Sequence, residues 1–133
     1  MDLLARSSGA LFDPIRTRAY LTITETGVPI VAANVKRWQL KAFGADPDVP
    51  LLEIYDLPAT DVILPSLAQW EYGSAGFNFS HTIRWGQDGF EPAGGETVTM
   101  EYILVIDAGG GLEDPYTVKH VRQLDPQLSR DPA

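Results

Sequence analysis

Two stretches of the chain alternate apolar and polar side chains with a period of two. In residues 76–85, Phe77, Phe79, His81, Ile83 and Trp85 alternate with Asn78, Ser80, Thr82 and Arg84. In residues 96–106, Val98, Met100, Tyr102, Leu104 and Ile106 fall on one face. Successive side chains of a strand point to opposite sides of a sheet, so both stretches predict half-buried strands. Residues 15–24 place Ile15, Ala19, Leu21 and Ile23 on one face and Arg16, Arg18 and Tyr20 on the other. Residues 35–43 place Trp38, Leu40 and Ala42 inward against Arg37, Gln39 and Lys41. Shorter strands are expected over residues 51–55, 61–64 and 116–124. Pro65 is expected to stop one of them, with Ser66 capping a single helical turn to Gln69. About seven short strands separated by Gly/Pro-rich turns predict an all-β fold, an antiparallel β-sandwich of immunoglobulin-like or related type. Trp38, Phe77, Phe79, Met100, Tyr102 and Leu104 are its expected shared core.

At 133 residues the chain has the size of one domain. Residues 1–14 read as an N-terminal arm, 15–125 as the sandwich and 126–133 as a solvated tail. The arm carries Leu3, Leu4, Leu11 and Phe12, more apolar surface than a free tail needs, so it docks on a partner or covers an open end of the sandwich. It is too short to fold alone and is expected to be loose in an isolated monomer. No stretch reads as a targeting segment or membrane span, so the expectation is a soluble protein made and kept in the cytoplasm.

Charge narrows the partners. The net charge of −8 argues against nucleic-acid binding, which needs clustered Lys and Arg. Residues 1–44 hold six basic residues against three acids, whereas residues 45–133 hold four against fifteen. Such a bipolar chain suits head-to-tail assembly, with Arg16 and Arg18 on the basic side; alternatively, interleaved strands average the charges out. There is no Cys, which excludes disulfides and thiolate metal sites.

Candidate chemistry is sparse. His81 and His120 fall in expected strands and are candidates for a metal pair or an acid–base pair. Neither has a second His two to four residues away, and His81, on the apolar face, reads first as a core histidine bonded to backbone. Asp107, Glu113 and Asp114 surround three glycines, but their spacing does not match a calcium loop. No nucleophile elbow, phosphate cradle or facing carboxylate pair is present. Asn78-Phe79-Ser80 matches the glycosylation sequon inside an expected strand. Trp70, Tyr72, Trp85 and Tyr116 fall near strand ends, where rigid amphipathic rings form a sugar-stacking platform, a subunit contact or a cap on the core. No cofactor is expected.

The run Gly76-Phe77-Asn78-Phe79-Ser80-His81-Thr82-Ile83, then Pro92-Ala93-Gly94-Gly95, Val98-Thr99-Met100-Glu101-Tyr102 and the Gly109-Gly110-Gly111 hairpin, resembles small immunoglobulin-like structural proteins of tailed bacteriophage virions. Thr97 and Val98 stand where a tyrosine corner would place Tyr. The resemblance implies a non-enzymatic virion component synthesised in a bacterial cytoplasm. Its expected role is capsid decoration (cement) or a head–tail or tail adaptor, with major capsid or tail proteins and further copies of itself as partners. The rival from another class is a carbohydrate-binding sandwich.

Overall fold

The computed structural model describes residues 2–23, 26–55, 58–69, 76–109 and 112–125. Eight strands form in chain order: β1 Asp2–Gly9, β2 Ile15–Ala19, β3 Val35–Phe43, β4 Pro50–Tyr55, β5 Ile63–Gln69, β6 Gly76–Ile83, β7 Thr97–Gly109 and β8 Leu112–Leu124. They make a five-stranded sheet of order β1-β8-β7-β3-β4 and a three-stranded sheet of order β2-β6-β5. The smaller sheet is antiparallel, while the larger is mixed because β1 runs parallel to β8. The two sheets pack face to face in a sandwich-like all-β fold.

The alternating pattern places the core. Leu40, Met100, Tyr102 and Leu104 of the larger sheet and Ile15, Phe79 and Ile83 of the smaller are buried in one contiguous cluster. The Phe79 ring stands edge-on to Tyr102 at 5.1 Å, and Trp38 lies 6.2 Å from Tyr102. Trp38 places its indole N–H on the Pro58 carbonyl, so this large ring is buried without leaving its donor unmade. Phe77 departs from expectation. It is buried, yet apart from the contiguous cluster, with the Arg18 guanidinium 4.9 Å above its ring.

Three local differences from the sequence reading have physical causes. Residues 2–9, expected as a loose arm, form β1, a strand beyond the seven expected, and the polar run Arg6-Ser7-Ser8 gave no period by which to see it. The free edge of β8 supplies its hydrogen-bond ladder, Leu3 packs against the core and Leu11 is buried. The expected helical turn at residues 66–69 belongs to β5, which runs through Pro65. Between Ile63↔Phe79 and Ala68↔Phe77 the register slips, and Pro65 sits in that irregularity, where no ladder N–H is required of it. Finally, β7 and β8 extend beyond their expected spans of 96–106 and 116–124 to the pair Gly109↔Leu112. Pro115 is tolerated in β8 because the pairing with β1 starts only at Thr117.

Asn78 overturns its predicted outward position. It is buried, its carboxamide oxygen accepts from the Leu21 N–H at 2.8 Å, and its nitrogen donates to the carbonyls of Leu21 and Ile30. The side chain thereby pins the small antiparallel turn around Thr22↔Pro29 onto the end of β6. Buried in this way, it is inaccessible as a glycosylation acceptor.

Candidate functional site

The two histidines read from the sequence are joined by a line of polar side chains that crosses from one sheet to the other. His120 lies on the inward face of β8, which alternates Tyr116, Val118 and His120 into the interior. Its Nδ1 is 2.8 Å from the Thr17 hydroxyl on β2, and its Nε2 meets the Ser7 hydroxyl on β1. Arg122 donates to the same Ser7 oxygen at 3.2 Å. On the far side of Thr17 lies the Tyr102 phenol, whose oxygen is 2.7 Å from His81 Nδ1. One direction of donation fits the bonds present: Arg122 to Ser7, Ser7 to His120 and His120 to Thr17, with Tyr102 donating to His81 beyond them. Buried polar groups persist when partnered, and the hydroxyls of Ser7 and Tyr102 and both ring nitrogens of His120 are partnered here.

Burial sets the protonation of the seam. His120 binds a proton less readily than an ordinary histidine because it is desolvated, and secondarily because the Arg122 charge is near. His81 is lowered by burial, with Asp61 opposing. Burial raises Tyr102 far above the usual phenol range. Both histidines are therefore neutral at pH 7. The Ser7–His120–Thr17 arrangement matches the order nucleophile, base and orienting group, but a hydroxyl stands where a carboxylate would hold an imidazolium. With Arg122 nearby as well, the environment works against charge on His120, and the seam is suited to holding the sheets in register rather than to moving protons.

The seam opens into a cleft of about 510 Å³ lined by Ala5 and Ser7 of β1, Pro14, Arg16, Thr17 and Arg18 of β2 and its approach, and His120. It lies where the end strand of the larger sheet faces the end strand of the smaller. The Arg122 guanidinium packs over Gly9, where a Cβ would displace it. The chain matches no protein-family model, no curated protein and no solved structure.

The other candidate residues are dispersed. Leu4 is 56% exposed on the outward face of β1, while Leu3 turns inward. Phe12 and Trp85 meet edge to face at 5.1 Å, and the Trp85 indole N–H donates to the Pro92 carbonyl. Trp85 keeps 40% of its surface exposed. Tyr116 is in the core at 1% exposure and presents no ring to a ligand. Trp70 and Tyr72 lie outside the described residues. Glu113 is held by Arg37 at 2.9 Å, which keeps its carboxyl below the ordinary glutamate range, and Lys36 stands 3.8 Å away. Among the described residues, no three side chains converge as metal ligands.

Sequence reasoning passed over Ser7, Thr17, Tyr102 as a polar group, and Arg122. One signal was available: Thr17 shares the inward face of Ile15 and Ala19, and a hydroxyl on an apolar face needs a partner.

Proposed function

We propose that the chain is a non-enzymatic structural component of a tailed-phage virion, a capsid decoration (cement) protein that works through subunit contacts. The immunoglobulin-like assignment of the sandwich belongs to this proposal. The observation that carries it is β1. It is the end strand of the larger sheet, pairs among the described residues with β8 alone, and turns Leu4 outward beside the edge that no described strand pairs. Such an edge recruits a further strand or an apolar surface, and assembly proteins use it for contacts between copies and with a lattice. The exposed Phe12–Trp85 pair supplies a second apolar contact of the kind enriched at interfaces. A head–tail or tail adaptor uses the same surfaces against a different partner. The carbohydrate-binding alternative loses Tyr116 to the core, which weakens an aromatic platform.

Mass spectrometry of purified phage particles from the source host is the direct test, paired with light scattering of the isolated protein. The expected result is a stoichiometric virion component that self-associates or binds heads. A protein that stays monomeric, is missing from particles and binds glycans would sink the proposal.

A further inference from the structure

The cleft between β1 and β2 has a charge imbalance that the fold does not balance internally. Among the described residues, the ion pairs are Lys36–Glu113, Arg37–Glu113 and Lys119–Glu101, and none involves Arg16, Arg18 or Arg122. Of the side chains lining the cleft, two are arginines and none is an acid, in a chain with eighteen acids. The Nε atoms of Arg18 and Arg122 are buried and have no hydrogen-bond partner among the described residues. A buried guanidinium N–H without an acceptor is costly, because water has been removed and nothing has replaced it. Arg16 and Arg18 line the cleft itself, and Arg122 reaches it only through Ser7. Arg18 is held over Phe77, and Arg122 lies over Gly9 with one nitrogen on Ser7, a residue that also lines the cleft.

We propose that this cleft binds a phosphate group, free or as the monoester of a small molecule, held by Arg16 and Arg18 with the Arg122 charge behind Ser7. Planar guanidinium groups pair with phosphate oxygens in bidentate fashion. A phosphate monoester carries nearly two negative charges at neutral pH, which matches the two lining arginines better than a single carboxylate does. The volume of about 510 Å³ lies within the range of small-molecule sites and leaves room for an ester group beyond the phosphate. The neutral seam behind the cleft fixes Ser7 and Thr17, so the walls are formed before the ligand arrives.

Calorimetric titration of the full chain with inorganic phosphate, glycerol 3-phosphate and acetate, at constant ionic strength, tests this. Saturable binding of phosphate or of the monoester is expected, with acetate at least tenfold weaker. Tighter binding of glycerol 3-phosphate than of phosphate assigns the ester as ligand, and the reverse assigns the free ion. Arg16→Gln is exposed and leaves the fold intact; it and Arg18→Gln are each expected to weaken binding tenfold or more, with Arg18→Lys recovering part of the loss. Gly9→Ala moves Arg122 without removing a charge and is expected to weaken binding severalfold. The proposal is overturned by a lack of saturable binding, by acetate binding as tightly as phosphate, or by unchanged affinity in both glutamine variants. Binding of a short oligonucleotide without binding of either small probe also overturns it.

Discussion

Asn78 shows how a single side chain does what a strand pairing would otherwise do. Its carboxamide supplies one acceptor and two donors to backbone that has left the β2–β6 ladder. Asn78→Leu keeps the volume but strands the Leu21 N–H and the Ile30 carbonyl in a buried place. Each unmade group costs about 1–3 kcal/mol, so urea melts of this variant are expected to show a loss of roughly 2–6 kcal/mol. Phe79 tests a different term. It is fully buried against Tyr102, and Phe79→Ala is expected to cost about 3–5 kcal/mol; a loss below about 1 kcal/mol would place the ring outside the core. Alternation alone distinguished these neighbours wrongly. It set Phe79 inward and Asn78 outward, because periodicity registers which face a side chain is on and not whether something folds over that face.

Among the elements, the strands with unbroken alternation were legible: β3 coincides with its expected span, and the β6 and β7 expectations fall on the observed strands. What escaped was set by neighbours distant in sequence. β1 exists because β8 offers an edge, and β5 passes a proline because its partner is out of register there. His120, Arg16 and Arg18 were legible as candidates, but their partners Ser7 and Thr17 escaped for the same reason, since they come from other strands than His120 and carry no spacing signal. β1 and the turn that follows it also separate packing from assembly. Leu11→Ala removes a buried side chain and is expected to destabilise by about 2–5 kcal/mol in thermal or urea melts. Leu4→Glu lies on the outward face and is expected to change stability by under about 0.5 kcal/mol while reducing self-association in sedimentation runs. Wild-type assembly in Leu4→Glu would remove the β1 face from the assembly surface.

For the whole molecule, the seam couples stability to pH. His81 and His120 are both depressed below the ordinary histidine value when folded, whereas the unfolded chain titrates near 6.5. Below about 6.5 the unfolded state therefore binds more protons, and stability falls as pH drops until the folded histidines protonate in turn. Above about pH 7 this contribution is fully present. The groups facing His120 are Ser7, Thr17 and Arg122, and those facing His81 are Tyr102, Trp38 and Asp61. Denaturation curves between pH 7.5 and 5.5 are expected to steepen toward acid by up to about 1.4 kcal/mol per pH unit per histidine. His120→Gln is expected to flatten that dependence, and an equally steep curve in the variant would remove His120 from it. The pairing of β1 with β8 has its own consequence for biosynthesis. Asp2 lies opposite Thr117, 115 residues later in the chain, so a ribosome adding about 5–20 residues per second leaves β1 without its partner for roughly 6–23 s. On a polysome, an early strand waiting that long is available to the β8 of a neighbouring nascent chain, so exchange of strands between copies can begin during translation.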